Sequence, residues 1–144
     1  MSTTTPPLAW GYLQPGSDRT HQVRALQYLL RSRGQQVTVD GGYGPATVAA
    51  VKAIQQAAHL TVDGVCGPTT YPALVITIRP GSSGDAVSAA QEMFDSGNAG
   101  LAVDGSFGPA TEKITRQMQS AFSLVTDGVI GPQSWARLTE YDAP

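Results

Sequence analysis

Apolar residues recur at helical spacing in four long stretches of the chain, and the stretches form two matched pairs. Val23, Leu26 and Leu30 mark one face of a helix read from Arg19 to Ser32, and Val87, Ala90 and Phe94 mark its counterpart from Asp85 to Ser96. A second helix carries Ala50, Val51, Ile54 and Ala58 in the first half, and Ile114, Met118, Ala121 and Phe122 in the second. A short third helix carries Tyr71 and Leu74, then Trp135 and Leu138. Glutamines also fall at matching places, Gln27 with Gln91 and Gln55 with Gln119. Ahead of each first helix, Leu13-Gln-Pro-Gly-Ser and Ile78-Arg-Pro-Gly-Ser form equivalent lead-in strands or turns. The pattern predicts an all-α chain of two three-helix units.

Between these helices the chain spells Asp-Gly-x-x-Gly-Pro-x-Thr/Ser four times, beginning at Asp40, Asp63, Asp104 and Asp127. The two copies within a half lie 23 residues apart and the halves are offset by 64, which is the signature of a duplicated domain. The lead-in segments are offset by 65, so one half has gained a residue. Each motif residue has a physical task. A short Asp carboxylate accepts a hydrogen bond from the N–H two residues on and closes an Asx-turn, while the next Gly takes positive φ cheaply. The second Gly permits close approach or sits at the helix N-cap, and Pro suits the first helical position, where its missing N–H is harmless. Thr47, Thr70, Thr111 and Ser134 then place a hydroxyl in the first turn, where it is expected to satisfy an orphan backbone donor.

Together these residues resemble the peptidoglycan-binding-like domain family, a three-helix module attached to many bacterial and phage cell-wall enzymes. The resemblance runs through Gly81-Ser-Ser-Gly-Asp-Ala-Val87, Gln91, Val103-Asp-Gly-Ser-Phe-Gly-Pro-Ala-Thr111, Met118-Gln119 and Thr126-Asp-Gly-Val-Ile-Gly-Pro-Gln-Ser-Trp135. In the first half it runs through Leu26-Gln27, Val39-Asp-Gly-Gly-Tyr-Gly-Pro-Ala-Thr47, Ala50-Val-Lys-Ala-Ile-Gln55 and Leu60-Thr-Val-Asp-Gly-Val-Cys-Gly-Pro68. Thr20 stands where the family usually has the glycine that Gly84 supplies, and Thr115 where a core valine such as Val51 is usual. The resemblance implies a flexible N-terminal tail over 1–12, a first module over 13–76 and a second over 77–141. It also implies peptidoglycan, through its glycan strand or stem peptide, as the partner.

Such a ligand asks for an aromatic face for sugar C–H groups and polar groups for hydroxyls and amides. Tyr43 and Phe107 occupy equivalent turn positions, and Tyr71 and Trp135 equivalent third-helix positions; core plugs are the preferred reading of all four, with ligand contact the alternative. Asp40 and Asp104, in the turns that carry Tyr43 and Phe107, and Tyr28 complete the candidate binding set. Tyr28, Trp10 and Tyr12 lack aromatic counterparts in the second half, which leaves them freer for function. Arg24, Arg31 or Lys52 could pair with stem-peptide carboxylates.

Composition narrows the function further. The chain has 144 residues, 41% of them hydrophobic, and modules of this size are marginal alone, so the halves are expected to touch through a partly packed linker over 75–84. A formal net charge of -2 without a basic run argues against a nucleic-acid partner, and no apolar stretch is long enough to span a membrane. Two histidines without ligand spacing and one cysteine leave no metal centre, no cofactor site and no catalytic residues to assign. Cys66 aligns with Ile130 and reads as a small buried hydrophobe. His21 reads as an exposed polar residue, and His59 as a C-terminal cap whose imidazole bonds free carbonyls. The motif Asp residues lack the clustering of a calcium loop.

Met1 to Pro7 is rich in Ser, Thr and Pro and carries no signal-peptide pattern. The expected site of action is the bacterial cell wall, reached by virion association, lysis or a dedicated secretion route. The expected function is non-enzymatic recognition or anchoring on peptidoglycan. The alternative is a structural or adaptor component of a phage tail or injection apparatus that contacts other proteins.

Overall fold

The computed structural model describes residues 12–96 and 101–138. Apart from Tyr12, the tail expected over 1–12 lies outside the described residues. The elements follow in the order α1 (Thr20–Ser32), α2 (Pro45–Ala57), α3 (Tyr71–Leu74), α4 (Asp85–Ser96), α5 (Pro109–Ala121) and α6 (Pro132–Leu138). The first three form one module and the last three its copy. The lead-in segments close each module: Leu13 exchanges two backbone hydrogen bonds with Cys66 at 2.9 and 2.8 Å, and Ile78 does the same with Ile130 at 3.0 and 2.8 Å.

Gly44 and Gly108 are the N-caps of α2 and α5, with Pro45 and Pro109 at the first helical position as expected. The third helix of the first module differs. A turn over 68–70 precedes α3, which begins only at Tyr71, whereas α6 starts at Pro132. The cause is Pro72: in a helix begun at Pro68 its missing N–H would leave the Pro68 carbonyl unpaired, while the corresponding Ala136 has an N–H to give. The second helices stop just before Ala58 and Phe122, and Ala58 and Ala121 face solvent instead of the core. His59, with φ of 60°, sits in the left-handed position after α2. Its N–H bonds the Gln56 carbonyl at 3.2 Å while the Leu60 N–H reaches Gln55 at 2.8 Å. This is a backbone Schellman cap, so the expected imidazole cap is replaced by main-chain bonds, and Ser123 repeats the left-handed conformation.

The turns are held by the four aligned glutamines. Gln27 is 1% exposed, and its carbonyl oxygen accepts from the N–H groups of Asp40 and Gly41 at 3.0 and 2.9 Å. Its amide nitrogen faces Asp40 Oδ1 at 2.9 Å, the Gly42 carbonyl at 3.0 Å and Thr47 Oγ1 at 3.2 Å. Gln55 repeats every one of these contacts with Asp63, Gly64, Val65 and Thr70. Gln91 repeats them with Asp104, Gly105, Ser106 and Thr111. Gln119 reaches Asp127, Val129 and Ser134 and accepts from Gly128. The motif hydroxyls therefore meet a glutamine amide, not the orphan helix donors assigned to them from the sequence. Each Asp closes its Asx-turn onto the N–H two residues on at 2.9 to 3.0 Å, and each following Gly has φ between 74° and 78°. A β-carbon on Gly41 would lie 2.7 Å from the Thr20 methyl, so this turn excludes side chains twice over.

α1 and α4 join the modules. They run antiparallel, because His21 and Arg24 near the start of α1 meet Glu92 near the end of α4, and Arg31 meets Asp85 at 3.4 Å at the other end. Each helix has two buried faces. Val23, Leu26 and Leu30 form the stripe predicted from the sequence, with buried Gln27 beside them, while Ala25 and Leu29, also fully buried, extend burial around the helix. Ala89 and Met93 do the same on α4. Taking a side chain the size of Leu29 or Met93 out of water contributes about 2 kcal/mol, which is large beside the stability of either small module. Glu92, only 3% exposed, is compensated by His21 and by Arg24 at 3.1 Å. The linker is tied from both sides: Arg33 donates to the Leu74 and Val75 carbonyls at 3.2 and 2.8 Å, and Trp135 Nε1 to the Ile76 carbonyl at 2.8 Å.

Gln27→Leu keeps the bulk but strands the N–H groups of Asp40 and Gly41, and is expected to cost about 3 kcal/mol in a urea unfolding series. The carboxyls of Asp40, Asp63 and Asp104 are held below the usual range, first by the N–H two residues on and then by the glutamine amide. The folded protein thus binds these protons less tightly than the unfolded chain. Their contribution is present in full above the unfolded carboxyl value of about 4 and is lost as pH falls through the lower folded value. Replacing all three by Asn is expected to lower the urea midpoint at pH 7 and to make its decline between about pH 5 and 3 shallower.

Candidate functional site

Among the described residues, clefts open at two of the motif turns. A cleft of about 190 Å³ opens at the first turn of the first module, between Thr38, Asp40, Gly42, Pro45 and Ala46. Another of about 290 Å³ opens at the second turn of the second module, between Leu124, Val125, Asp127, Pro132 and Gln133. They are built from corresponding parts. The latched glutamine (Gln27 or Gln119), the motif Asp, the second Gly, the Pro and the hydroxyl (Thr47 or Ser134) line both.

Their rims differ in chemistry. Thr38 and Ala46 border the smaller cleft, whereas Val125, 79% exposed, and half-buried Leu124 give the larger one an apolar edge. Asp40 is exposed, and the Gly42 N–H and the Gln27 amide keep its carboxyl low, so the smaller cleft carries a negative charge at neutral pH. Asp104 is held in the same way by the Ser106 N–H and Gln91. Such surfaces can accept donors such as amides and hydroxyls and shelter small alkyl groups. Among the described residues, no group of three or more His, Cys, Asp or Glu side chains comes together. Cys66 is fully buried, and burial pushes its thiol pKa far up.

The seven candidate binding residues are not brought together. Asp40 and Asp104 lie exposed on the first turn of their respective modules. Tyr28 is half-buried against the core. Tyr43 and Phe107 are 4% and 3% exposed and Tyr71 and Trp135 not at all, so none of these four presents a ring face to a sugar. Their assignment as ligand contacts is corrected to core plugs: Tyr43 donates its hydroxyl to the Gly64 carbonyl at 2.6 Å, and Trp135 holds the linker. Arg24 and Arg31, candidates for stem-peptide carboxylates, are engaged by Glu92 and Asp85, and His21 by Glu92. Sequence reasoning missed the role of the glutamines and the rim formed by Leu124 and Val125. The alignment of the glutamines by the repeat was the available signal. Exposed valines carry none.

The sequence profile of the peptidoglycan binding domain family matches residues 19–74 and 83–138. Among curated proteins, a zinc D-Ala-D-Ala carboxypeptidase of Streptomyces albus G is 32% identical over 99 residues, covering 67% of this chain and 38% of that protein. A probable N-acetylmuramoyl-L-alanine amidase of Bacillus licheniformis is 28% identical over 156 aligned residues, covering 88% of this chain and 44% of its own length. An uncharacterized protein of Kitasatospora aureofaciens is 36% identical over 101 residues, covering 67% of this chain and 78% of itself. The chain thus spans less than half the length of the carboxypeptidase and the amidase. No solved structure matches at a comparable level. With both modules covered by the same profile, and each profile match running from the first helix to the third, the chain belongs to the peptidoglycan binding domain family.

Proposed function

We propose that this chain is a non-catalytic recognition unit that anchors on bacterial peptidoglycan through the clefts at its motif turns. The observation that carries the proposal is the recurrence of one cleft architecture, glutamine, Asp, Gly-Pro and hydroxyl, in two modules of a peptidoglycan-binding family. Two relatives named for different chemistry, on D-Ala-D-Ala and on N-acetylmuramoyl-L-alanine, support the wall polymer, rather than one bond within it, as what their shared segment addresses. The cleft chemistry suits a stem peptide, whose amides need hydrogen-bonding partners and whose alanine methyls need a shallow apolar rim such as Leu124 and Val125. Peptidoglycan repeats, so two weak modules joined through α1 and α4 gain apparent affinity, by about 10²-fold where both engage at once. The cell wall is then the site of action.

The test is co-sedimentation of the full chain with purified sacculi, with a muramidase-digested control and an assay of released fragments. Saturable pelleting that vanishes on digestion, with no soluble muropeptides, is the expected result. Val125→Asp, on the rim of the larger cleft, is expected to weaken pelleting by about five-fold or more while leaving the fold intact. A protein that stays in the supernatant with sacculi of several wall types would overturn the proposal in favour of a protein-docking role, as in a tail or injection assembly.

A further inference from the structure

Burial of the four motif and third-helix aromatics leaves open where a sugar ring would stack, and the lead-in segment of the first module answers with a residue outside the motif. Tyr12 is 65% exposed, whereas the other Phe, Tyr and Trp side chains among the described residues are buried or half-buried. It does not hang loose. Leu13, its neighbour, is fully buried and paired to Cys66 by two backbone hydrogen bonds, which fixes where the Tyr12 backbone lies. The ring lies against Gly67: a β-carbon added there would come within 2.6 Å of Cε1 and 2.8 Å of Cδ1. Gly67, the second glycine of its motif, carries no side chain that would keep the ring off the backbone.

The repeat gives this ring a context. In the second module Thr77 stands where Tyr12 stands in the first, and the corresponding glycine, Gly131, has only the Thr77 hydroxyl near its added β-carbon, at 3.9 Å. Gly131 lines the larger cleft. At corresponding faces, one module therefore offers an apolar-rimmed cleft and the other a backed aromatic ring with its remaining surface open.

We propose that Tyr12, seated on Gly67, is a glycan-stacking subsite that takes the C–H face of a β-1,4-linked N-acetylated amino sugar. This rests on the peptidoglycan-binding proposal and divides the polymer between the modules, glycan at Tyr12 and stem peptide at the Val125 cleft. A pyranose of this kind has an apolar face of C–H groups that covers an aromatic ring, while its hydroxyl and acetamido edges need polar neighbours. The motif continues from Gly67, on which the ring sits, through Pro68 to exposed Thr69.

The experiment compares wild type, Tyr12→Ala and Tyr12→Trp in sacculus pelleting and titrates each full chain with a soluble N-acetylglucosamine tetramer. Tyr12 ring resonances are followed by NMR in the wild type. A melting curve for each variant, expected to stay close to wild type because the ring is mostly exposed, guards against misfolding. Tyr12→Ala is expected to weaken pelleting by about five- to ten-fold, Tyr12→Trp to retain it, and the tetramer to shift the Tyr12 ring signals. Wild-type pelleting that Tyr12→Ala leaves unchanged would overturn the subsite alone, whereas absence of wild-type pelleting would overturn the parent proposal. Ring signals that move with a soluble stem peptide but not with the tetramer would overturn the assignment to glycan.

Discussion

A buried primary amide with both ends committed to one turn is the interaction on which the rest of this structure depends. A glutamine side chain offers a carbonyl oxygen and two N–H groups, and inside a small helical module it must find partners for both ends or forfeit several kcal/mol. Here the carbonyl takes the consecutive N–H groups at the apex of an Asp-Gly turn, and the amide nitrogen takes the Asp carboxylate, a turn carbonyl and a hydroxyl in the next helix. One side chain on a helix thereby fixes the turn that launches the following helix. Because Gln27 serves the turn before α2 and Gln55 the turn before α3, the latches run in series through the module, and Gln91 and Gln119 repeat the series.

That arrangement explains how modules with so little core hold a defined shape, and why they pair. Helix order within a module is set by polar contacts of fixed geometry, leaving α1 and α4 with an apolar face to spare. Ala25 and Leu29 on one helix, and Ala89 and Met93 on the other, are all buried at most to 1% exposure. The charged groups at this junction fix its register. Glu92 meets two partners from α1, and Arg31 meets Asp85 at the opposite end, a pattern that a shifted or parallel packing would break. Two cleft-bearing modules are consequently held by one junction.

Much of this was legible in the sequence, and the reasons for the remainder are specific. The 64-residue offset, the Asx-turns, the positive φ after each Asp and the prolines at the starts of α2, α5 and α6 follow from residue chemistry alone. The glutamines were visible as aligned positions, yet a polar residue on a helix ordinarily faces water, and nothing local says that a turn 8 or 13 residues later will close over it. The second buried stripe of α1 was hidden by the first, since Ala25 is small and Leu29 adjoins Leu30. Burial of Tyr43, Tyr71, Phe107 and Trp135 was the preferred reading because each has an aromatic counterpart in the repeat, and a repeated plug is what two equal cores require. The clefts were not legible, being made from backbone shape around Gly-Pro steps and from valines that no periodicity singles out.

The central claim, that buried glutamines hold the turns, is tested most directly by native-state hydrogen exchange at the backbone amides of Gly41, Gly64, Gly105 and Gly128. These N–H groups sit at turn apices where the backbone provides no ladder partner, and in each case the acceptor is a glutamine side-chain oxygen. The account predicts that all four exchange slowly, at rates set by unfolding of the module, as the amides in the middle of α1 and α4 do. Exchange at the rate of an exposed loop at these glycines, alongside protected helices, would contradict it.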